Sequence, residues 1–158
     1  MNIYLDVDEV VCDFMSGIKK RYPELKDRDE SKYELPNFID WNGVYKDAPF
    51  WLMLPVLDRP TVKVSGFVSH RKFPIYITEF WLHINRFQPT DVYHVDSSDL
   101  KVELLKKLNC DLYVDDKPQT FEHCLQEGLN ACLYTRPWNL HLQTDRRISK
   151  LSELEGLL

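Results

Sequence analysis

Two short apolar segments of this chain each end in a pair of acidic residues. The first begins at Ile3 and is followed by Asp6 and Asp8, and the second precedes Asp115 and Asp116. Short apolar runs predict buried strands, and alternate residues of a strand point to the same side. In open parallel sheets, ligands bind beyond the carboxyl ends of the strands. If the two strands are neighbours, four carboxylates converge on one crevice, and a hard cation such as Mg²⁺ relieves their repulsion.

Strands and helices alternate along most of the chain, which predicts an α/β fold with a central parallel sheet of about five strands flanked by helices. The predicted strands are Asn2–Val7, Val64–Ser69, Asp91–Val95, Asp111–Asp115 and Ala131–Tyr134. The predicted helices are Val10–Arg21, Pro74–Phe87, Asp99–Leu108 and Gln119–Glu127, with a short one near Ser149–Leu157.

The region Tyr22–Pro60 interrupts this alternation. It is rich in charged residues, prolines and aromatic residues. We predict a small cap over the carboxyl edge of the sheet, formed by about residues 15–60 of a single domain whose core comprises residues 1–14 and 61–158. The simpler alternative is a long loop with its own small apolar cluster.

The composition excludes several classes of protein. A chain of 158 residues with 44% apolar residues and a net charge of −5 can form one domain with a real core. It has no long basic run, which argues against duplex nucleic acid as a partner. No apolar run approaches transmembrane length, and the N-terminus predicts a strand instead of a signal peptide. The four cysteines lack metal-ligand spacing, so we expect reduced thiols in a cytoplasmic protein.

The order of these elements resembles the haloacid dehalogenase (HAD) phosphatase superfamily, which has two Asp motifs with a serine and a lysine between them. The stretches Leu5–Phe14, Val114–Pro118 and Thr135–Asn139 look like those of its 5′(3′)-deoxyribonucleotidase-like branch. The resemblance covers roughly residues 1–14 and 64–140. It implies a Rossmann-like core with a cap inserted after strand one, and a Mg²⁺-dependent phosphomonoesterase.

The resemblance also implies roles for the acidic residues. Asp6 is the expected nucleophile that forms an aspartyl-phosphate, and Asp8 is the expected general acid and base. The implied Mg²⁺ ligands are the Asp6 carboxylate, the Asp8 backbone carbonyl and Asp116. Asp115 is expected either as a further ligand or as a hydrogen-bonding partner of one.

Two residues between the acidic pairs are expected to bind the substrate phosphate. Ser69 ends a predicted strand, and we prefer it as the phosphate-binding hydroxyl. Thr78 is the alternative, because Pro74–Thr78 could itself form the strand. Lys101 begins the helix before the second acidic pair, where the family places its phosphate-binding lysine.

The aromatic residues of the insertion suit a nucleotide substrate, because bases stack on aromatic rings. The candidate substrate contacts are Phe14, Trp41, Tyr45, Phe50, Trp51, His70 and Arg71. We expect a small phosphorylated substrate, with nucleoside monophosphates as the first choice. Another small phosphomonoester or an oligonucleotide 3′-phosphate is the alternative within enzymes, and a catalytically silent phosphate-binding or receiver-like module is the alternative outside them.

Two features depart from the family pattern. Glu9 stands where the family often has glycine, which predicts either an altered turn beside Asp8 or an additional carboxylate near the substrate. The segment between Leu54 and Ser69 is short and lacks the helix usual before the second strand.

Overall fold

A fully parallel sheet of six strands forms the centre of the molecule. The computed structural model describes all residues from Met1 to Leu158. The strands are Ile3–Leu5 (β1), Gly66–Ser69 (β2), Asp91–His94 (β3), Leu112–Asp115 (β4), Ala131–Tyr134 (β5) and Arg147–Ile148 (β6). Their order across the sheet is β3-β2-β1-β4-β5-β6, and every neighbouring pair is parallel. The predicted α/β fold is confirmed, and the order is that of Rossmann-like sheets.

The sixth strand is the main difference from the prediction of about five. β6 contains only two residues, Arg147 and Ile148, and pairs with the end of β5. Such a short strand cannot show an alternating or continuous apolar pattern, so the sequence carried no signal for it.

Six helices surround the sheet, and the structure has no helix that is both long and apolar enough to span a membrane. They are Phe14–Arg21 (α1), Trp41–Lys46 (α2), Ala48–Leu52 (α3), Ile75–Ile84 (α4), Ser98–Lys107 (α5) and Pro118–Gln126 (α6). Three short 3₁₀ helices cover Pro23–Leu25, Pro137–Asn139 and Leu151–Leu157. All four cysteines are free thiols.

The start of α1 was predicted too early, at Val10 instead of Phe14. Glu9 has a positive φ of 63°, which turns the chain before the helix can begin. Asp13 then caps the helix, because its side chain accepts a hydrogen bond from the backbone N–H of Ser16.

Alternate residues of the central strands lie in two apolar clusters on opposite faces of the sheet. Ile3 and Leu5 belong to the larger cluster, whereas Tyr4 between them belongs to the smaller one. The smaller cluster is completed by α5 and α6 through residues such as Leu105 and Phe121. A parallel sheet covered on both faces explains why β1 and β5 carry no charged residue and are buried along their whole length.

The insertion packs into the larger cluster and has no separate core. Leu25, Val44 and Trp51 are buried there together with Leu5 of β1. Because α4 contributes to the same cluster, the insertion is held against the same face of the sheet as α4. No helix lies between α3 and β2.

One predicted apolar face is rotated in the structure. The sequence spacing predicts that Ile77, Phe80, Trp81 and Ile84 of α4 share one buried face. Ile77 and Trp81 are buried, but Phe80 and Ile84 are exposed. The buried stripe includes Thr78 instead. Trp81 fixes this rotation, since its indole N–H donates to the carbonyl of Leu54 at 2.9 Å.

The order of the strands places the acidic residues together. β1 lies between β2 and β4, and the direction of chain progression across the sheet reverses beside it. Asp6 directly follows β1, Ser69 ends β2 and Asp115 ends β4. Crevices at such reversal points are the usual ligand sites of open α/β sheets.

Candidate active site

A cavity of about 200 Å³ opens at the carboxyl ends of β1 and β2. Most of the predicted substrate-contacting and catalytic residues line it: Asp6, Asp8, Phe14, Trp41, Tyr45, Trp51, Ser69, His70 and Arg71. Its volume is below the ~300–1,000 Å³ typical of drug-sized sites. It therefore suits a small group, or a ligand whose remainder extends into solvent.

Three carboxylates lie together at the floor of this region. Single oxygens of Asp6, Asp115 and Asp116 approach within 4.8 Å of one another, and all three residues are buried. Burial raises the pKa of Asp6 to about 6 against the opposing effect of Lys101. Burial together with the charges of Asp115 and Asp6 raises the pKa of Asp116 well above its usual range. The carboxylates are thus short of positive charge, and an all-oxygen donor set suits a hard divalent cation.

Lys101 is the buried cation among these acids. Its Nζ donates to Oδ2 of Asp6 and to Oδ2 of Asp115, each at 3.1 Å. It is only 2% exposed and does not line the cavity. In this structure it therefore bridges two carboxylates, and its predicted contact with phosphate stays a prediction.

Asp115 and Asp116 differ in how many of their oxygens are already bonded. Oδ2 of Asp115 accepts from Lys101 and from the Tyr113 hydroxyl at 2.9 Å, and Oδ1 accepts from the backbone N–H of Lys117 at 2.8 Å. Burial acts to raise the pKa of Asp115, but Lys101 and Lys117 outweigh it and lower that pKa.

Asp116 retains an oxygen that accepts no hydrogen bond. Its Oδ2 accepts from the indole N–H of Trp138 at 2.9 Å, and its backbone carbonyl accepts from the Asn139 amide at 2.7 Å. Asp116 is thus held in place with one oxygen available to a ligand, which fits the predicted metal ligand better than Asp115 does.

Asp6 is oriented by bonds from both sides. Its backbone N–H continues the sheet to the carbonyl of Val114 at 2.8 Å. Oδ1 accepts from the backbone N–H of Val7 at 2.7 Å, and Oδ2 accepts from Lys101. Because each carboxylate oxygen has two lone pairs, Asp6 can still interact with the cavity that it lines.

The structure separates the two candidate hydroxyls. Ser69 lies at the end of β2, lines the cavity, and has a buried Oγ without a hydrogen-bond partner. Thr78 lies within α4, so the alternative strand Pro74–Thr78 is wrong. The Oγ1 of Thr78 is already bonded to Arg71 at 3.0 Å. An unpaired buried hydroxyl is costly unless a ligand completes it, which favours Ser69 as the ligand-binding group.

We predict that Ser69→Ala lowers kcat/KM for phosphate esters by about 10- to 100-fold, since a hydrogen bond to a charged group contributes ~1.5–3 kcal/mol. Ser65→Ala, just before the other end of the same strand, is the matched control and is expected to keep wild-type kinetics. Steady-state rates and melting temperatures of both variants test this. Equal kinetics for Ser69→Ala and Ser65→Ala would exclude Ser69 as a phosphate ligand.

Arg71, a candidate substrate contact from sequence, is buried. It is 3% exposed, and its guanidinium pairs with both carboxylate oxygens of Asp8. The neighbouring His70 is exposed and lines the cavity. The two adjacent residues therefore have different surroundings.

Glu9 retains the turn that glycine would favour and directs its carboxylate away from the cavity. Its φ of 63° lies in the left-handed region. Oε1 accepts from the backbone N–H of Met15 at 2.5 Å, and Oε2 pairs with Arg136 at 2.6 Å. Burial raises the pKa of Glu9 to about 7, against the effect of Arg136. Glu9 does not line the cavity, so the expectation of an additional carboxylate near the substrate is not met.

The aromatic residues of the insertion form one wall of the cavity. Trp51 stacks on Phe14 and on Tyr45 with centroid distances of 5.5 and 6.2 Å, and Tyr45 stacks on Trp41 at 5.8 Å. Trp51 is 2% exposed, whereas Trp41 and Tyr45 are partly exposed. Phe50 packs edge-on against Phe14 and does not line the cavity. Trp41 and Tyr45 are therefore the rings best able to receive a ligand.

Sequence reasoning missed Lys117, a cation that lines the cavity. Burial acts against its charge, but the surrounding carboxylates of Asp6, Asp115 and Asp116 raise the pKa of Lys117. It directly follows the second acidic pair, so its place at the end of β4 could have indicated a position at the same edge.

Tyr33 and Trp138 were missed for a different reason. Tyr33 lines the cavity beneath the Nζ of Lys117, which lies 4.8 Å from its ring centroid. Trp138 supports Asp116 from the loop after β5. Trp138 lies in the stretch Thr135–Asn139 that carries the family resemblance, but its bond to Asp116 and the position of Tyr33 each join segments that are distant along the chain.

No protein-family model matches this sequence, and no curated protein matches it significantly.

Proposed function

We propose that the protein is a Mg²⁺-dependent phosphomonoesterase of the haloacid dehalogenase type that acts through an aspartyl-phosphate on Asp6. The observation that carries the proposal is the meeting of Asp6, Asp8 and the unpaired Ser69 hydroxyl in one cavity, above the buried acids Asp115 and Asp116. A nucleophile, a second acid, a hydroxyl donor and a cation site are the parts that phosphate-ester hydrolysis requires.

The proposed steps use residues that line the cavity. Asp6 attacks the phosphorus atom, and Asp8 gives a proton to the leaving oxygen. Asp8 then takes a proton from the water that hydrolyses the aspartyl-phosphate. Ser69 and Lys117 hold the phosphoryl oxygens, because one offers an unpaired hydroxyl and the other a cation at the cavity wall. Lys101 keeps Asp6 oriented from below.

The buried acids fit a magnesium ion. Asp6, Asp116 and the backbone carbonyl of Asp8 would hold it, and Asp115 would orient Lys101. When bound, the ion neutralises phosphate charge and orients the ester for in-line attack.

The proposed substrates are nucleoside monophosphates. Support comes from the partly exposed rings of Trp41 and Tyr45 beside the reactive acids, since base–aromatic stacking contributes ~1–3 kcal/mol per base. A screen of phosphomonoesters with Mg²⁺ tests the function directly. It includes ribo- and deoxyribonucleotides with 3′- and 5′-phosphates, sugar phosphates and an aryl phosphate, and hydrolysis of none of them contradicts the proposal.

We predict that the preferred nucleotide exceeds a sugar phosphate of equal charge by about tenfold or more in kcat/KM, as expected for ~1.4 kcal/mol of stacking. Trp41→Ala or Tyr45→Ala is expected to remove that preference and to spare an aryl phosphate. Phe50→Ala is the control from the same aromatic cluster, because Phe50 does not line the cavity. If nucleotides and sugar phosphates react equally well in the wild type, the enzyme is a phosphatase without base recognition.

A further inference from the structure

We propose that Arg71 is a positioning residue that fixes the carboxylate plane of Asp8 for proton transfer. The inference rests on the proposed function, in which Asp8 transfers the proton. Arg71 acts through Asp8 and does not hold the phosphoryl group.

The guanidinium of Arg71 binds Asp8 through two parallel contacts. Its Nε donates to Oδ2 at 3.0 Å and its Nη2 donates to Oδ1 at 2.6 Å. Two-point pairing of this kind fixes the plane of a carboxylate as well as its position. Lysine, a point charge, cannot reproduce it.

A second set of hydrogen bonds holds Arg71 from the opposite side. Its Nη1 donates to Oγ1 of Thr78 at 3.0 Å. The same Oγ1 lies 3.0 Å from Nε2 of His94, whose Nδ1 lies 3.0 Å from the carbonyl of Phe73. All contacts are satisfied together if His94 carries its proton on Nδ1 and the Thr78 hydroxyl donates to Nε2.

Aromatic rings restrict the remaining freedom of the guanidinium. Its central carbon lies 5.1 Å from the ring centroid of Trp51 and 5.5 Å from that of Phe73. The side chain of Arg71 is 1% exposed, against 21% for Asp8. Arg71 is therefore immobilised by α4, β3 and the insertion, and it transmits that rigidity to a carboxylate at the cavity.

This pairing leaves Asp8 able to transfer a proton. An ionised carboxylate has about four lone-pair positions, and Arg71 uses one on each oxygen. The other two are free, and Asp8 lines the cavity. The cavity side of the carboxylate is therefore open to substrate and water while the plane of the group stays fixed.

The chemistry provides a test that separates positioning from phosphate binding. When Asp6 attacks phosphorus, the bond to the leaving oxygen breaks and the proton of Asp8 moves to that oxygen. When water attacks the phosphorylated Asp6, the phosphorus–Asp6 bond breaks and the water proton returns to Asp8. A nitrophenolate leaves without the first proton, whereas the alkoxide of a nucleoside needs it. Loss of Asp8 orientation therefore affects the two substrates differently.

The experiment compares kcat/KM of wild type and Arg71→Gln on a nucleoside monophosphate and on p-nitrophenyl phosphate. We expect a loss of about 10- to 100-fold on the nucleotide, part of the ~10²–10⁴ that proton transfer contributes, and at most about threefold on the aryl ester. Arg71→Lys is expected to show nearly the same kcat/KM values as Arg71→Gln, since lysine restores the charge but not the two-point pairing. Equal losses on both substrates would overturn the proposal in favour of phosphate binding or a folding role.

Thr78→Val provides a variant that keeps the Arg71–Asp8 pair. It removes the support behind Arg71, and we expect a smaller loss with the same selectivity for the nucleotide. If Arg71→Gln does not fold, Thr78→Val tests the positioning role in its place. An equal loss of kcat/KM on both substrates, or no loss, would count against that role.

A double-mutant cycle with Asp8→Asn provides the direct measure of coupling. If Arg71 acts through Asp8, Arg71→Gln causes no further nucleotide-selective loss in the Asp8→Asn background. Additive losses would refute the inference. A wild-type protein that hydrolyses no member of the phosphomonoester panel would instead refute the proposed function itself.

Discussion

Replacing Asp6 with asparagine is expected to abolish turnover, with a loss in kcat of about 10⁴- to 10⁶-fold, as for removal of the nucleophile in other covalent hydrolases. An amide is too weak a nucleophile to attack a phosphate ester. The fold is expected to survive, because asparagine keeps the shape and burial already raises the pKa of Asp6 to about 6, towards the neutral form. Steady-state rates and thermal melting measure the two effects separately.

The control for this variant is Asp145→Asn, an exposed residue outside the cavity. It is expected to match the wild type in rate and stability. A beryllium fluoride complex, which mimics a phosphoryl group, is expected to bond to Asp6. Turnover by Asp6→Asn within tenfold of wild type, or the mimic on another side chain, would contradict the nucleophile assignment.

Removing divalent cations is expected to have an effect of similar size. Phosphatase activity should fall by more than about 10³-fold in excess chelator and return with Mg²⁺, because metal-ion catalysis contributes several kcal/mol. The physical reason is the burial of Asp6, Asp115 and Asp116 within 4.8 Å of one another with Lys101 as the only basic side chain bonded to them. Full activity in chelator would exclude a metal-dependent reaction.

The two adjacent acids are expected to differ in metal affinity. Asp116→Asn should lower the affinity for Mg²⁺ by more than about 100-fold. Asp115→Asn should lower it by about 10- to 100-fold, the range typical of residues that orient metal ligands. The difference follows from the hydrogen bonds, since both Asp115 oxygens are occupied and one Asp116 oxygen is free. Calorimetric titration with Mg²⁺ measures both variants, and the reverse ranking would exchange their roles.

The α/β fold was predictable from local patterns. β1 and β5 are continuous apolar runs because both faces of a parallel sheet are covered. The boundaries of Ala131–Tyr134 were predicted correctly for the same reason. Ser97 and Ser98 before an apolar stretch predict a helix N-terminus, and Ser97 does cap α5. The short β6 and the rotation of α4 were not predictable, since neither is determined by a repeating pattern.

The clustered acids could also be located from sequence, but their hydrogen-bond partners could not. Asp6 and Asp8 follow one strand, and Asp115 and Asp116 follow another, so the topology of a parallel sheet brings them to one edge. Lys117 could have been included on the same basis. The hydroxyl candidates remained ambiguous until the structure placed Thr78 in a helix and left Ser69 unpaired in the cavity.

The amino-acid sequence alone determined that the acids lie at strand ends, because strand ends and acidic pairs are properties of neighbouring residues. Tertiary structure alone decided how those acids are held. The pair of Arg71 with Asp8 joins residues 63 positions apart, and the bond from Lys101 to Asp6 joins residues 95 positions apart. Contacts at such separations depend on side-chain packing between elements, and packing leaves no periodic or local signal in a single sequence.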